Sequence, residues 1–216
     1  MIHPAESDTV MGRQRISVQV MAFVGIAGVS MAVFSLIAVI IASGMYGLNI
    51  LSVSAPNNLS DPDTVSALKF VQLFSSLGLF ILPPLVFAFL ASRKGYHYLC
   101  VDQPPALSSS LAVVLIMLFS LPAINWLAAM NAGMQFPDFL SGMEDWMRAS
   151  EEQAAQLTEA FLKMDTGGDF LFNIFLIAII PGIGEELLFR GVLQKLLIKW
   201  TKNRHAGIWI TAILFS

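Results

Sequence analysis

No Lys, Arg, Asp or Glu occurs between Ile16 and Ser60, and Val18 to Ala42 is almost wholly Val, Ile, Leu, Met, Phe, Ala and Gly. This pattern predicts a membrane-spanning helix over about 18–42, since about 20 apolar residues rising about 1.5 Å each cross a hydrocarbon layer about 30 Å thick. The run exceeds the roughly 7–15 apolar residues of a cleavable signal peptide, so it reads as a retained first helix. Further charge-free runs predict spans over about 70–92 and 106–130. Pro83 and Pro84 fall inside the second. Each lacks a backbone N–H, so a kink rather than a break is expected, with the freed carbonyls taken up by neighbouring helices or water. The fourth run opens at Phe170, stays charge-free to Gly184, then carries Glu185, Glu186 and Arg190 before Lys195 and Lys199, predicting a span over about 170–197. A fifth apolar run starts at Ala206, and its 11 residues to Ser216 cover about half a crossing. An apolar helix halted at that depth would leave carbonyls unpaired in hydrocarbon at several kcal/mol each, so the sequence is expected to be truncated at Ser216.

The longest polar connection, Asn131 to Asp169, contains a helical pattern within 139–164. Trp146, Leu157, Phe161 and Met164 form an apolar stripe opposite Glu151, Glu152, Glu159 and Lys163. This acidic amphipathic segment reads as an interfacial helix or a lid over the bundle, neither a ligand site nor a second domain. Pro56-Asn57-Asn58 and Gln103-Pro104-Pro105 mark loops. The expected architecture is all-α: one integral membrane domain over 1–216, a polytopic transmembrane helix bundle of four complete spans plus the start of a fifth.

Composition agrees, with 56% hydrophobic and 12% charged residues against about 25% charged in ordinary soluble domains. A soluble globular class is excluded, and the bilayer becomes the first partner. The net charge of −3 and the scattered basic residues leave no footprint for nucleic acid. Threading the spans alternately puts eight Lys/Arg and three Asp/Glu on one side, and three and ten on the other. The basic set is Arg13, Arg15, Arg93, Lys94, Lys195, Lys199, Lys202 and Arg204, so the positive-inside rule predicts a multi-pass protein of the cell membrane with a cytoplasmic N-terminus.

Glu185, Glu186 and Arg190 then remain inside the membrane. A carboxylate at that depth costs about 2.5–3.5 kcal/mol on insertion scales, so adjacent acids require compensation. Glu186 and Arg190, four residues apart on a helix, share a face in the favourable order of signs. Glu185 points about 100° away. The spacing suggests Glu186 held ionised by Arg190 as an anchor, and Glu185 aimed into a cavity as proton acceptor for a water molecule. Desolvation makes a carboxylate a better proton acceptor. Pro181, Gly182 and Gly184 loosen the preceding turn and remove bulk, so backbone or substrate could approach there. Spacing leaves open a plainer reading, in which the span ends near Ile180 and these charges belong to a juxtamembrane helix in water.

The run Pro181-Gly182-Ile183-Gly184-Glu185-Glu186-Leu187-Leu188-Phe189-Arg190-Gly191 resembles the Glu-Glu-x-x-x-Arg motif of the CAAX prenyl protease and bacteriocin-processing (CPBP) family of intramembrane proteases. Phe215 matches the opening of that family's second motif, Phe-x-x-x-His, whose His would fall three residues past Ser216. The resemblance covers roughly the last 50 residues. It implies that Glu185 activates water with Glu186 and Arg190 in support. It also implies either a metalloprotease, with zinc as the possible cofactor, or a metal-free water activated by Glu and His. The implied substrates are peptides or membrane proteins, with prenylated C-termini in eukaryotic relatives and bacteriocin maturation or self-immunity in bacterial ones. The His motifs and the zinc ligands they would supply are absent, so these 216 residues are expected to lack activity as they stand. His3, His97 and His205 lack partners at metal-ligand spacing and read as solvated or interfacial, and Cys100 reads as a plain thiol. The competing classes are a non-catalytic immunity or scaffold protein, in which Glu186 and Arg190 fasten helices, and a proton-coupled transporter relaying through Glu185.

Overall fold

The computed structural model describes residues 9–49, 59, 61–99, 101, 106–133, 140–164 and 166–215. His3, Cys100 and the loop marks at Pro56-Asn57-Asn58 and Gln103-Pro104-Pro105 lie outside these residues. Among the described residues every regular element is helical: α1 (Ile16–Tyr46), α2 (Pro62–Ala91), α3 (Gly95–Leu99), α4 (Leu107–Ala132), α5 (Ser141–Leu162), α6 (Gly167–Thr201) and α7 (Arg204–Phe215). Four of them, α1, α2, α4 and α6, are long and apolar enough to cross a membrane. The chain divides into two compact units, Met1–Val101 with Leu157–Ser216, and Asp102–Gln156.

α2 and α6 extend past their charge-free runs, and α1 stops well short of the end of its own, because caps and not charges set the helix ends. Thr166 and Asp169 form a capping box that starts α6 at Gly167, with bonds of 2.9 and 3.2 Å. Gly47, at φ 64°, closes α1 by donating to Ser43 in a left-handed turn. At the start of α2, Asp61 accepts from the Thr64 hydroxyl at 2.6 Å and the Thr64 N–H at 3.0 Å. These bonds, the hydroxyl first and the backbone amide second, hold the Asp61 carboxyl below the usual carboxylate range. The folded value being the lower one, the cap acts fully above that range and is lost as pH falls through the lowered value. The Thr64 amide is therefore expected to keep its hydrogen-exchange protection at mildly acidic pH and lose it only in strong acid. An amide already unprotected at neutral pH would show that the cap does not form.

In the first unit α2 runs antiparallel to α1. Phe23 packs edge-on against Phe87 with ring centroids 5.3 Å apart, the Ser35 and Ser75 hydroxyls meet at 2.9 Å, and Ala42 packs with Ala67. Gly78 presses on α1 so closely that a Cβ there would lie 2.5 Å from Phe34 Cβ. Lipid offers apolar side chains as good a home as a neighbouring helix does, so small residues that allow dense contact carry this packing. The sequence of contacts shows that α6 runs parallel to α2. Asp169 is within electrostatic reach of Lys69, Gly184 meets Phe80, and the Lys195 ammonium donates to the Tyr98 carbonyl. A core of Phe87, Tyr98, Leu99, Leu188, Val192 and Leu196 fills the lower part of the unit. After Lys202, at φ 55°, the chain reverses and α7 returns along α6, with Gly207 against Ile198 and Phe215 against Phe189.

One end of this unit therefore gathers Arg13, Arg15, Arg93, Lys94, Lys195 and Lys199. It is pinned by the Thr9 hydroxyl donating to the Ala91 carbonyl at 2.9 Å. Asp61 and Asp169 mark the opposite end. The charge sorting read from sequence is thus a feature of the folded unit.

The expected disturbance at Pro83 takes the form of a widened turn. Over Leu77–Ile81 the helix switches to bonds five residues back, Leu82 N–H reaching the Leu77 carbonyl, and then continues through both prolines to Ala91. α6 repeats the device over Phe175–Ile179, where Ile180 N–H bonds to the Phe175 carbonyl just before Pro181. A proline supplies no N–H and crowds the carbonyl four residues back, and a wide turn relieves both problems. In the second unit α4 carries Pro122 within an uninterrupted helix, so a proline permits a wide turn without compelling one. α5 extends the second unit to Gln156 and ends in the first.

Candidate active site

The three charges on α6 lie well within the bundle. Gly184, immediately before them, meets the middle of α2, where a Cβ on it would stand 2.5 Å from Phe80 Cβ. Phe80 is 11 positions before Ala91, which puts Glu185 about 16 Å in from the basic end. α6 continues unbroken to Thr201. Packing of residues about a hundred positions apart carries the helix past the point where charge begins.

Around α6 three strips differ in covering. Leu176, Ile180, Gly184, Leu188 and Val192 recur at helical spacing and are buried. Gly182, Glu186 and Arg190, each four residues on from the last, form an open strip. Here Arg190 Nη1 donates to Glu186 Oε1 at 3.0 Å, making the predicted pair within one helix. The side chains are 73% and 56% exposed, so the described residues do not cover the pair. The pair has depth along the bundle but no cover from the described residues, because α6 turns its Gly184 side to α2.

Glu185 is half-buried between these strips and makes no hydrogen bond or ion pair among the described residues. One turn further on the same side, the Phe189 ring meets the Phe215 ring edge-on at 5.1 Å. On its antiparallel return α7 therefore brings Phe215 to a level one turn below Glu185. The two flanking glycines play different parts. Gly184 is a protein contact, so its missing side chain makes room for Phe80 and not for a substrate. At Gly182 a Cβ would meet no heavy atom within 4 Å, leaving space beside Glu186.

The remaining sequence candidates are not brought to this place. His97 and His205 are exposed at the basic end, about 15–20 Å from Glu185 along the helices. Among the described residues no group of three or more His, Cys, Asp and Glu is placed to hold a metal ion. A catalytic zinc takes about three protein ligands and a water. The described side chains do not fit that donor set.

Residues 167–216 match the family model for Rce1-like type II CAAX prenyl endopeptidases. The Rce1-like segment is the part of the chain that holds α6 and α7, and it contains the Glu185, Glu186 and Arg190 cluster. It bears out, for those residues, the resemblance carried by the motif, and it is consistent with a CPBP family protease. At the family level the Rce1-like match supports a membrane-embedded protease acting on a protein or peptide. No curated protein and no solved structure matches the chain.

Two features of the Rce1-like segment were not legible in the sequence. A third wide turn runs from Glu186 to Leu193, with Gln194 N–H bonded to the Phe189 carbonyl. It follows Pro181, Gly182 and Gly184 and precedes no proline, so it lacks the cause that explains the other two; such turns are common at functional sites. The Lys195 and Lys199 ammonium groups also lie 5.0 and 5.9 Å from the centre of the buried Tyr98 ring. This cation–π contact fastens α6 to α3 at the basic end.

Proposed function

We propose that this protein is an intramembrane endopeptidase in which Glu185 activates a water molecule for attack on a peptide carbonyl. The observation that carries the reading is a mid-bundle carboxylate with no hydrogen-bond or ion-pair partner among the described residues, beside a neighbour neutralised within its own helix. Glu185 takes a proton from water as the oxygen bonds to the carbonyl carbon, then returns it to the leaving amine as the carbon–nitrogen bond breaks. Glu186 and Arg190 cancel each other's charge and keep the open strip polar without competing for that proton. Charges at membrane depth face a protein interior or a water-filled cavity. The open strip at Gly182 and Glu186 is therefore the side from which water and the extended peptide arrive.

The resemblance implies a His at the fourth position after Phe215. Since α7 runs antiparallel to α6 and Phe215 is level with Phe189, such a residue would stand level with Glu185. That register favours a shared water between the two. The gathering of basic residues at the nearer end supports a cytoplasmic N-terminus and cleavage near the cytoplasmic side. The scaffold reading draws less support, because the Glu186–Arg190 pair lies within one helix and fastens no second helix among the described residues.

The full-length gene product reconstituted in nanodiscs with membrane peptides in ¹⁸O-labelled water tests this reading. Hydrolysis is expected to place one labelled oxygen in the new C-terminal carboxylate. Intact peptide together with proton-coupled uptake into vesicles would establish the transporter reading. Intact peptide without uptake would leave a scaffold.

A further inference from the structure

We propose that the corner where α1 begins and α2 ends binds an anionic phospholipid, its phosphate on Arg15, Arg93 and Lys94 and an acyl chain along Phe89 and Leu90. All five residues belong to the first unit, and its contacts bring the three cations to one level. Phe23 meets Phe87, Ser35 meets Ser75 and Ala42 packs with Ala67, so each step forward along α1 matches about one step back along α2. In that register Arg15, eight positions before Phe23, is level with the turn after Ala91 that carries Arg93 and Lys94. The Thr9 hydroxyl closes the corner by donating to the Ala91 carbonyl at 2.9 Å. The buried Gln19 amide donates to the Gln14 carbonyl at 3.0 Å and fixes the turn from which Arg15 leaves.

These cations lack local compensation. Arg15, Arg93 and Lys94 are exposed, and none of them forms an ion pair among the described residues. The described residues of 9–23, 85–101 and 191–206, which make up this end of the first unit, include no Asp or Glu. Like charges gathered in this way repel one another, and an anion between them relieves the repulsion. At the foot of a membrane-capable helix the lipid headgroups supply that anion. A zwitterionic headgroup brings a cation of its own, so a net negative one is preferred.

The apolar surface beside the cations selects a lipid over a soluble anion. Leu82, Phe89 and Leu90 are exposed and fall within about 100° of arc on α2, a face that ends directly before Arg93. Gly95 comes so close to Phe89 that a Cβ on it would stand 2.8 Å from Phe89 Cδ1. The Tyr96 ring, 62% exposed, meets the Phe89 ring edge-on with centroids 5.4 Å apart. The turn thus holds an aromatic corner at the level where tyrosine collects in membranes. Inorganic phosphate or an acidic protein would use the cations and leave this face bare. A phospholipid covers both.

The test titrates the full-length protein in neutral detergent with phosphatidylglycerol or phosphatidylcholine and reads the first bound lipid by native mass spectrometry. Phosphatidylglycerol is expected to bind several-fold more tightly. Arg93→Gln with Lys94→Gln should weaken it by at least about fivefold, the factor that one cation contributes at an anionic surface. Arg93→Lys with Lys94→Arg should retain it, and Lys202→Gln with Arg204→Gln, which removes the same charge elsewhere at this end, should leave it unchanged. A measurement on the unaltered protein needs no variant to fold: phosphatidylglycerol with a photoreactive group in its acyl chain, in nanodiscs, is expected to label α2 between Leu82 and Leu90. Equal affinity for the two lipids would overturn the proposal. So would equal losses in the two glutamine variants, which would mean diffuse attraction, or labelling confined to other helices. Displacement of the lipid by inorganic phosphate would assign the cations to a soluble anion instead.

Discussion

Glu185→Gln is expected to abolish peptide hydrolysis by the full-length protein while leaving the helices assembled. The amide has the carboxylate's shape and differs chiefly in its inability to accept the proton of water, and positioned general bases contribute about 10²–10⁴-fold. A loss of that size with unchanged circular dichroism and an unchanged elution volume would assign the function to proton transfer. Because Glu185 makes no hydrogen bond or ion pair among the described residues, little folding energy goes with it. Glu186→Gln should behave differently. It removes the partner of Arg190 at 3.0 Å and leaves a cation uncompensated at membrane depth, so the loss appears in stability and expression as much as in rate. Retention of hydrolysis within threefold in Glu185→Gln would show that another group activates the water. Equal stability losses in both variants would assign Glu185 a structural role.

Gly184→Ala is expected to destabilise the bundle, whereas Gly182→Ala is not. At position 184 the added methyl carbon would lie 2.5 Å from Phe80 Cβ and 3.2 Å from Ile81 Cδ1. Phe80 Cβ is fixed to the backbone within the wide turn Leu77–Ile81, so no side-chain rotation relieves the overlap and the helices must move apart. Overpacking of this kind costs about 1–3 kcal/mol, and lipid supplies no hydrophobic force to draw the helices back together. At position 182 the same carbon meets nothing within 4 Å, and alanine's better helix propensity offers up to about 1 kcal/mol. Thermal unfolding in detergent should separate the two variants clearly. Activity adds a second reading of the pair. If peptide approaches along the open strip, Gly182→Ala should slow hydrolysis despite its unchanged or raised midpoint. Matching midpoints for the two alanine variants would mean that α2 and α6 do not meet at Gly184.

The hydropathy pattern located the membrane helices but drew them short. It placed the second span at about 70–92, whereas α2 begins at Pro62. The Asp61 cap and the continuing backbone bonds carry the helix through Asp63 and Lys69. A hydropathy window measures residence in hydrocarbon, while a helix ends only where its last N–H and C=O groups find other partners. The stretch from Leu140 to Met164 was legible as a helix from its stripe, and α5 occupies Ser141–Leu162. The Glu186–Arg190 pair was legible too, because a spacing of four brings two side chains together on any helix. Which part of α6 would be wide was not legible, since Pro122 shows that a proline alone does not force such a turn.

By itself, the sequence determined an all-α membrane protein, its charge sorting and an acid–acid–arginine cluster on the fourth span. These properties depend on each segment's exchange with lipid and on the period of its own helix. Only the tertiary structure decided that Glu185 stands level with the middle of α2, that Gly184 makes room for Phe80, that the Glu186–Arg190 pair faces away from α2, and that α7 returns toward Glu185. Each of these follows from which residues on different helices touch. Dense packing between helices selects those partners, and neither hydropathy nor helical period carries that information.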